Sequence, residues 1–394
     1  MKILQVISSF PPAYSYGGAL KVAFDISKEL VNQNHDVTVY TTDVYDSKSR
    51  LSYKTNPEIM AGIKVFRFRN ISNILSRKNF TFAPKMFFFL KHHIKEFDVI
   101  HLHEYRSFQA IFVSYFAKKN NTPYIIQAHG AVLPIFEKQE LKKIFDKIFG
   151  IKILNYASKL IAVSKVEREQ YLTMGIPENK IEIIPNGIDV SEYEILPVRG
   201  NFRKRYGIRS DEKVILFLGR LHKSKGIDFL IDGFSSLLEQ CKNIKLVIAG
   251  PDDGYIDSLT QQIKKLKIEH KVLITGPLYN NEKIETFVDA DVLIYPGRIE
   301  IFGLVPFEAL MCGTPVIVTE DCGCGEIIKE ADCGFLVKYG DTQELCNILG
   351  NVLLKPNETN AKTQRGQLFI HTSLNWETIS IQVRNLYADC LCNL

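Results

Sequence analysis

The chain has 394 residues, of which 46% are hydrophobic and 24% are charged. This composition is typical of a soluble globular protein, and it excludes a disordered chain, a collagen-like chain and a small disulfide scaffold. At about 150 residues per domain, the length predicts two to three domains.

Short apolar runs, typical of parallel strands buried on both faces, alternate with amphipathic stretches along the chain. The runs predict strands at 2–7, 36–41, 63–68, 98–103, 124–127, 160–163, 181–184, 214–218, 245–249, 271–274, 291–295, 315–319 and 334–337. The amphipathic stretches predict helices at 18–33, 227–240, 255–268 and 341–354, with a last helix at 376–391. This alternation indicates an α/β chain with doubly wound parallel sheets.

A break divides the chain into two Rossmann-like halves. A Pro-Asn-Gly turn signal at 185–187 and the segment 197–200, which begins with proline and ends with glycine, mark it. We predict a first domain at 1–190, a second at 195–370, and a C-terminal helix within 371–394 that returns to the first domain. Ligands of such sheets bind beyond the carboxyl ends of the strands, so a cleft between the two domains is the expected site.

The first half offers two signals of function at strand ends. Gly17 and Gly18 follow the first strand and open a helix, a turn compatible with phosphate, although no Gly-x-Gly-x-x-Gly is present. His129 stands at the carboxyl end of a predicted strand, and we assign it a functional role. His101 and His103 alternate along another strand, and we interpret them as structural residues.

A basic loop opens the second half at 219–226, with the sequence GRLHKSKG. Arg220 and Lys225 project from it between a predicted strand and a predicted helix. The planar fork of arginine and the compact charge of lysine together suit a pyrophosphate, without any need for a metal. A solvated basic loop is the alternative interpretation.

The strongest group of candidate functional residues lies at 296–309, with the sequence PGRIEIFGLVPFEA. A strand ends just before it, a loop carries Glu300, Gly303 permits close backbone approach, and a helix carrying Glu308 follows. The start of this helix favours an anion, and each carboxylate can accept hydrogen bonds from neighbouring hydroxyls of a ligand. An ordinary loop–helix junction is the alternative.

No metal site is expected. Asp289 and Asp291 imitate a metal-binding Asp-x-Asp, but they lie at the amino end of a predicted strand, away from the ligand side. The eight cysteines, all beyond residue 240, include no Cys-x-x-Cys pair. Two of them lie in the glycine-bearing turn 322–326, where backbone N–H groups or a glutamate could approach a ligand. Nucleophile-elbow and Walker motifs are absent, which excludes the corresponding hydrolases and P-loop proteins.

In this order along the whole chain, the motifs resemble those of retaining GT-B glycosyltransferases of family four, the glycosyl transferases group 1. The resemblance is carried by Gly17-Gly18, His129-Gly130, Val163-Ser164 with Glu167, Pro185-Asn186-Gly187-Ile188-Asp189, Gly219-Arg220 with Lys225-Gly226, and Glu300 with Glu308. It implies two Rossmann-like domains facing across a cleft. It also implies a nucleotide-diphosphate-sugar donor, a hydroxyl acceptor, retention of anomeric configuration, and no metal or other cofactor.

The resemblance implies a role for each matching residue. Arg220 and Lys225 would bind the donor diphosphate. His129 and Glu300 would contact the donor sugar, and Glu308 would hold the ribose hydroxyls. His129, Arg220, Lys225 and Glu300 are thereby expected to be catalytic. Further donor contacts would come from Gly17, Gly18, Gly276, Leu278, Phe302, Gly303 and Leu304.

Retention requires either a carboxylate nucleophile or attack on the face that the leaving group vacates. The first-half loops offer no convincing nucleophile, so we predict the second course, with a donor phosphate oxygen deprotonating the acceptor. Cations and helix N–H groups would stabilise the charge that develops on the leaving diphosphate. Gly297 departs from the family pattern, which usually has serine there, and one hydrogen bond near the site is affected.

The acceptor is expected to be a glycan or a lipid-linked molecule in polysaccharide, lipopolysaccharide or glycolipid biosynthesis. The net charge is +5, but segment 64–159 holds 17 basic and 6 acidic residues, a charge of +11. Within it, 80–97 and 141–154 mix aromatic or aliphatic residues with lysines, as helices lying on anionic bilayers do. Helices packed on the sheet with a solvated basic face are the alternative.

Without an export signal or a transmembrane run of about 18 apolar residues, we expect a cytoplasmic enzyme, peripheral at most on the cytoplasmic face of a membrane. Two other functions remain open: a sugar-nucleotide epimerase or another GT-B enzyme, and a non-catalytic protein that binds sugar nucleotides. Nucleic acid is not an expected partner, because the basic band lacks a recognition motif.

Overall fold

The computed structural model describes residues 1–46, 49–53, 55–72, 81–135 and 138–392. The chain forms two compact units, the first containing Met1–Gly187 together with the C-terminal helix from Trp376, and the second containing Ile188–Asn375. The chain thus leaves the first unit after residue 187 and rejoins it at residue 376. Each unit is built on a sheet of its own.

The strands run through the described residues in the following order: β1 (Lys2–Val6), β2 (Asp36–Thr42), β3 (Glu58–Met60), β4 (Ile63–Phe68), β5 (Val99–Leu102), β6 (Tyr124–Gln127), β7 (Lys159–Ala162), β8 (Ile181–Ile183), β9 (Lys213–Leu218), β10 (Ile244–Ala249), β11 (Val272–Gly276), β12 (Val292–Tyr295), β13 (Val316–Thr319) and β14 (Phe335–Val337). Each of the predicted strands is confirmed, with ends that agree to within two residues. Apolar runs identify them because most of their residues are buried on both faces.

The helices of the same residues are α1 (Gly18–Asn32), α2 (Pro84–His93), α3 (Phe108–Asn120), α4 (Gln139–Phe145), α5 (Ile151–Tyr156), α6 (Lys165–Thr173), α7 (Asn201–Arg205), α8 (Ile227–Gln240), α9 (Ile256–Lys265), α10 (Asn280–Asp289), α11 (Leu304–Met311), α12 (Gly323–Glu330), α13 (Thr342–Leu354), α14 (Pro356–Phe369) and α15 (Trp376–Cys392). A π-helical turn at Asp146–Gly150 joins α4 to α5. Among the described helices, none is long and apolar enough to cross a membrane.

Strand order locates the ligand-binding edge of each sheet. The first sheet runs β3-β4-β2-β1-β5-β6-β7-β8, and the second runs β11-β10-β9-β12-β13-β14. All described neighbours are parallel except β3, which is antiparallel to β4. The order reverses between β1 and β5 in the first sheet and between β9 and β12 in the second. Loops that follow these four strands are where a doubly wound fold binds its ligand.

Strand β3 was not predicted from the sequence. This three-residue strand joins β4 through Ala61 and Gly62, whose φ angles of 48° and 79° are those of a tight hairpin turn. A Cβ on Gly62 would lie 2.7 Å from Val31 Cγ1, so α1 also leaves no space for a larger residue there. Three residues at a sheet edge are too few to produce a recognisable apolar run.

The C-terminal helix α15 belongs to the first unit. Its first residue, Trp376, packs on the backbone of Gly187, where a Cβ would lie 2.5 Å from the indole ring. Further along, Tyr387 is fully buried and its hydroxyl accepts a hydrogen bond from Gln5 Nε2 at 3.3 Å. The glycine of the Pro-Asn-Gly turn is therefore required by packing against the returning helix.

Candidate active site

A lysine, a glutamate and a tyrosine meet where the order of the second sheet reverses. Lys225 ends the 3-10 turn after β9, and its Nζ contacts Glu300 Oε2 in the loop after β12. Tyr295, the last residue of β12, donates its hydroxyl to the same carboxylate oxygen at 2.9 Å. Lys225 and Glu300 are each only 15% exposed at their side chains. The structure thus brings together two residues that the sequence analysis singled out from separate motifs.

Two glycines let these loops approach each other. Gly226 has a φ of 65°, and a Cβ there would lie 2.3 Å from the carbonyl oxygen of Pro296. Gly303 has a φ of 75°, and a Cβ there would lie 2.8 Å from the ring of Tyr295. Both positions combine a left-handed backbone with close packing, which together exclude other residues.

Arg220 lies on the same loop as Lys225 but makes a different ion pair. Its Nη1 lies 2.6 Å from Asp253 Oδ2, in the loop after β10, and its side chain is 59% exposed. Close packing of backbones holds the two loops together, since a Cβ on Gly250 would lie 1.8 Å from the carbonyl oxygen of Gly219. Asp253 as a partner of Arg220 was not foreseen.

Glu308 lies in the second turn of α11 and is almost fully buried. Lys283 of α10 approaches its Oε2 to 2.6 Å, yet this oxygen has no hydrogen-bond partner of good geometry among the described residues. The carboxylate is therefore held by charge while keeping capacity to accept a hydrogen bond. Lys283 was not recognised from the sequence, because its helix carries no motif.

Four further predicted donor residues lie in the same unit as Glu308. Gly276 ends β11 with a φ of 79°, and its carbonyl oxygen accepts a hydrogen bond from Gly250 N at 2.8 Å. Leu278 and Phe302 are buried, and the Phe302 ring packs on Phe307. Helix α11 begins at Leu304 without a side-chain cap on its first N–H groups.

The turn 322–326 touches the Glu300 loop. The N–H of Gly323 donates to the carbonyl oxygen of Glu300 at 2.7 Å. Cys322 caps the start of α12 by accepting a hydrogen bond from Gly325 N, and its Sγ lies 3.3 Å from that of Cys324. The turn therefore fixes the backbone of the loop that carries Glu300.

Gly297 leaves space for the serine that the family usually has. A Cβ there would meet Ser224 O at 3.7 Å and the side chain of Glu300 at 3.8 Å, both ordinary contact distances.

Asp289 and Asp291, whose spacing resembles a metal-binding motif, instead bind Arg203. The Nη2 of Arg203 lies 2.8 Å from Asp291 Oδ2, and the backbone N–H of Arg203 donates to Asp289. No group of three potential metal ligands occurs within the described ranges.

In the first unit, His129 belongs to a buried network that begins on β1. His103 Nδ1 lies 3.0 Å from His129 Nε2, and His103 Nε2 lies 2.7 Å from Gln5 Oε1. Gln5 in turn contacts the hydroxyl of Tyr387, which lies 2.7 Å from His101 Nδ1. His101 and His103 are buried, as a structural role requires, but His103 also makes direct contact with His129.

Burial keeps the rings of this network uncharged. It lowers the pKa of His129 to about 3, and it lowers the pKa of His103 well below its usual value. The pKa of His101 is lowered to about 3 by burial, with a smaller contribution from His129. At neutral pH each imidazole therefore carries one proton, which places one donor and one acceptor on each ring.

Glu167 fixes the loop that carries His129. This fully buried carboxylate accepts hydrogen bonds from Gly130 N at 2.6 Å and from Val163 N at 2.8 Å. Ser164 caps α6 by accepting from the N–H of Glu167 at 3.2 Å, so one Ser-x-x-Glu pattern serves both the helix and the loop. Burial raises the pKa of Glu167 to about 7, against the opposing effect of the two N–H donors.

Two further features lie where the order of the first sheet reverses. Gly17 and Gly18 are exposed at the start of α1, and the φ of Gly17 is 100°. Across the same point, Ser8 after β1 donates its hydroxyl to Glu104 after β5. Burial raises the pKa of the Glu104 carboxyl. Glu104 was missed, although its position just beyond a strand could have drawn attention to it.

Comparison with known proteins gives a consistent result. The family model for glycosyl transferases group 1 matches residues 198–368, and that for Glycosyltransferase Family 4 matches residues 16–192. An uncharacterized glycosyltransferase of Methanocaldococcus jannaschii is 29% identical over 98% of each chain. N-acetyl-alpha-D-glucosaminyl L-malate synthase of Bacillus anthracis is 25% identical over 99% of this chain and 98% of its own.

Among solved structures, Anabaena HepE in complex with UDP-glucose has a TM-score of 0.77 at 23% identity, covering 99% of this chain and 100% of its own. This likeness shows a shared fold. The two family models match one unit each and together span most of the chain. The chain therefore belongs to the group 1 glycosyltransferases of family 4, with the GT-B fold.

Proposed function

We propose that the enzyme transfers a sugar from a nucleotide-diphosphate sugar to a hydroxyl acceptor with retention of anomeric configuration. The observation that carries this proposal is the cluster of Lys225, Glu300 and Tyr295 where the second sheet reverses its strand order. In the proposal, Lys225 and Arg220 bind the diphosphate. Glu300 holds hydroxyls of the sugar, and Glu308 holds those of the ribose.

The pairing of charges favours a ligand that is both anionic and rich in hydroxyls. Lys225 faces Glu300, Arg220 faces Asp253, and Lys283 faces Glu308. A diphosphate can replace a carboxylate as the partner of a cation, and vicinal hydroxyls can donate to the carboxylate thus released. Inorganic phosphate offers a partner only to the cation of each pair, and a free sugar only to the carboxylate. A nucleotide sugar offers a partner to both.

Other residues are proposed to contact the donor because they lie at strand ends or at the start of a helix. We propose that His129 contacts the transferred sugar and that Gly17 and Gly18 allow backbone approach to the phosphates. Gly303 and the uncapped N–H groups at the start of α11 add favourable interactions with an anion. We further propose that the donor is contacted by Gly276, Leu278, Phe302 and Leu304.

For the chemical step, we propose attack on the face from which the leaving group departs. In the bound state that we propose, Glu300 accepts from hydroxyls of the sugar and Glu308 from those of the ribose, so neither carboxylate is free to attack the anomeric carbon. A phosphate oxygen of the leaving group takes the acceptor proton, while Lys225 and Arg220 stabilise the negative charge that develops on the diphosphate. Isolation of a covalent glycosyl-enzyme, on Glu104 for instance, would contradict this course.

A thermal unfolding assay with a panel of donors tests the binding part. The structural neighbour that holds UDP-glucose makes UDP-sugars the first to try. A ligand at 100 times its dissociation constant should stabilise the protein by about 2.7 kcal/mol. We expect the nucleotide sugar to stabilise more than the nucleoside diphosphate, and the free sugar least. If no nucleotide raises the transition temperature, the donor assignment is wrong.

Variants of the two cations test the catalytic part. We expect Lys225→Ala and Arg220→Ala to lower kcat by roughly 100- to 1000-fold, as the loss of one charge-stabilising donor does elsewhere. Lys245→Ala is the matched control, because this lysine lies on β10 away from its carboxyl end and bonds to the backbone of His270. Near-normal turnover of both variants would contradict the assignment.

For the acceptor, we propose a lipid-linked or membrane-bound glycan that is reached at the cytoplasmic face of an anionic membrane. The supporting feature is an apolar outer face on the segment from α4 to the π-helical turn: Leu141, Ile144, Ile148 and Phe149 are 66%, 54%, 50% and 41% exposed. Exposed lysines surround it at positions 138, 143, 147 and 152. Aliphatic side chains that point to solvent within a ring of lysines match an anionic bilayer in both polarity and charge.

The structure distinguishes the two segments named from the sequence. In 80–97, of which Phe80 lies outside the described residues, Phe87 and Phe89 pack on the core and only Phe88 is strongly exposed among the aromatics described. The outer face of 141–154 is instead anchored next to the His129 loop, because Arg106 pairs with Asp146 and also bonds to Val132 O. The membrane proposal therefore rests on 141–154.

Sedimentation with vesicles tests this surface. We expect binding to vesicles that contain phosphatidylglycerol, weaker binding at high salt, and loss of binding in Ile144→Ser/Ile148→Ser. Leu354→Ser is the matched control, since Leu354 is 80% exposed in the second unit. Absence of binding at low salt would contradict the proposal.

A further inference from the structure

The first unit contains a continuous hydrogen-bonded chain that runs from the C-terminal helix to His129. Its members, in order, are His101, Tyr387, Gln5, His103 and His129, and each consecutive pair is separated by 2.7 to 3.3 Å. The rings stack as well: those of His103 and His129 lie 5.2 Å apart and nearly parallel, at 7°. The family motifs account for His129 alone, and leave the other four members without a role.

The amide of Gln5 sets the direction of the chain. Its oxygen faces His103 Nε2 at 2.7 Å, and its nitrogen faces the Tyr387 hydroxyl at 3.3 Å. With the amide reversed, two nitrogens would meet at 2.7 Å and two oxygens at 3.3 Å. Hydrogen bonds of the N–H···O type extend to about 3.2 Å and those of the O–H···O type only to about 3.0 Å, so the longer contact fits the first type better. The orientation observed is therefore the one that the spacing favours.

The positions of the protons follow from this direction. Because Gln5 Oε1 can only accept, His103 Nε2 carries the proton and His103 Nδ1 is bare. The bare Nδ1 accepts from His129, so the single proton of His129 lies on Nε2. At the other end, the amide nitrogen donates to the Tyr387 hydroxyl, which lies 2.7 Å from His101 Nδ1.

We propose that Gln5, oriented by Tyr387, is a positioning residue that fixes His129 in the tautomer with a bare Nδ1. His129 then recognises its ligand as a hydrogen-bond acceptor and selects a sugar hydroxyl that donates to it. The backbone of the loop is fixed independently, through the bond from Gly130 N to Glu167. The part of the proposal that concerns the sugar rests on the contact of His129 with the donor proposed above, whereas the tautomer does not.

NMR of the protein labelled with ¹⁵N-histidine tests the tautomer without any substrate. Long-range proton–nitrogen spectra distinguish a bare ring nitrogen from a protonated one, and His129→Asn assigns the signals of His129. We expect a bare Nδ1 in the wild type. We expect Gln5→Met, which removes the amide, to produce a mixture of tautomers at His129. A wild-type His129 protonated on Nδ1 overturns the proposal whether or not any variant folds.

Two further variants separate positioning from general packing. Gln5→Glu keeps an oxygen to accept from His103 Nε2, so we expect it to restore the wild-type tautomer. Gln109→Met removes another buried glutamine of the same unit, one that bonds to Thr81 instead, and should leave His129 unchanged. An unchanged tautomer in Gln5→Met, or an equal disturbance in Gln109→Met, overturns the role of Gln5.

A kinetic comparison tests the link to the sugar. With the preferred donor, we expect Gln5→Met to lower kcat/KM by about 3- to 10-fold, the effect of one hydrogen bond. With the deoxy donor that lacks the recognised hydroxyl, wild type and Gln5→Met should be equal. A loss of the same size with every deoxy donor overturns the proposed recognition. If no donor is turned over while Nδ1 is bare, the proposed function fails and the tautomer assignment stands.

Discussion

Replacement of Glu167 by glutamine tests how the loop carrying His129 is held. Glu167 is fully buried, and both of its oxygens accept backbone N–H groups. Burial nevertheless raises the pKa of Glu167 from 4.5 to about 7. Since the folded protein holds the proton more tightly than the unfolded chain, the ionised form is the less stable one, and folding stability falls as this group ionises.

The size of this effect follows from the shift. A change from 4.5 to about 7 corresponds to roughly 3 kcal/mol. This contribution is fully present below pH 4.5 and is lost as the pH rises through about 7. Glu167→Gln is neutral throughout, so the unfolding free energy of the wild type should fall by about that amount relative to the variant over this interval.

Urea unfolding between pH 4 and pH 8 measures this difference. Trp376 is the only tryptophan of the chain, and it packs on Gly187 within the first unit, so its fluorescence reports on that unit. Glu169→Gln, on the exposed side of the same helix, is the matched control and should show no such trend. If the wild type instead gains stability relative to Glu167→Gln as the pH rises, the two N–H bonds outweigh burial and the reasoning is refuted.

Substitutions of three glycines, with a fourth glycine as a control, give further predictions, each checked by thermal unfolding. Gly187→Ala should cost about 1–3 kcal/mol, because its Cβ would lie 2.5 Å from Trp376, whereas Gly350→Ala, whose nearest neighbour would be 3.9 Å away, should cost nothing. Gly303→Ala should weaken nucleotide binding as well as stability, because it displaces the Tyr295 ring. Gly297→Ser should change stability by no more than about 0.5 kcal/mol, since ordinary contacts surround the site.

Much of the fold could be predicted because the relevant signals are local. Parallel strands buried on both faces are continuous apolar runs, and each run that we assigned to a strand from the sequence is one in the structure. Some turns with positive φ are marked by glycine in the sequence, as at Gly226 and Gly303. The short hairpin strand β3 has no comparable signal, because its pairing with β4 and its packing near α1 depend on neighbours elsewhere in the sequence.

The candidate site was predictable in part, for the same reason. Lys225 and Glu300 belong to recognisable loops, but their direct contact joins residues 75 positions apart. The partners Asp253 and Lys283 have no motif, and Gln5 lies 382 positions from Tyr387. Such long-range pairs are fixed by strand order and helix packing, which single residues do not reveal.

The charge distribution of the second unit bears on the proposed binding of a nucleotide sugar, which is a polyanion. Residues 188–375 carry 22 basic and 26 acidic side chains, so the net charge of this unit does not attract an anion. What matters is that Lys225 is already held against Glu300 in a largely buried position. The cost of removing both charges from water is thus met on folding. In the proposed complex, a nucleotide sugar replaces one ionic partner by another and adds no unpaired buried charge, so its recognition depends on the placement of a few paired ions rather than on the net charge of the unit.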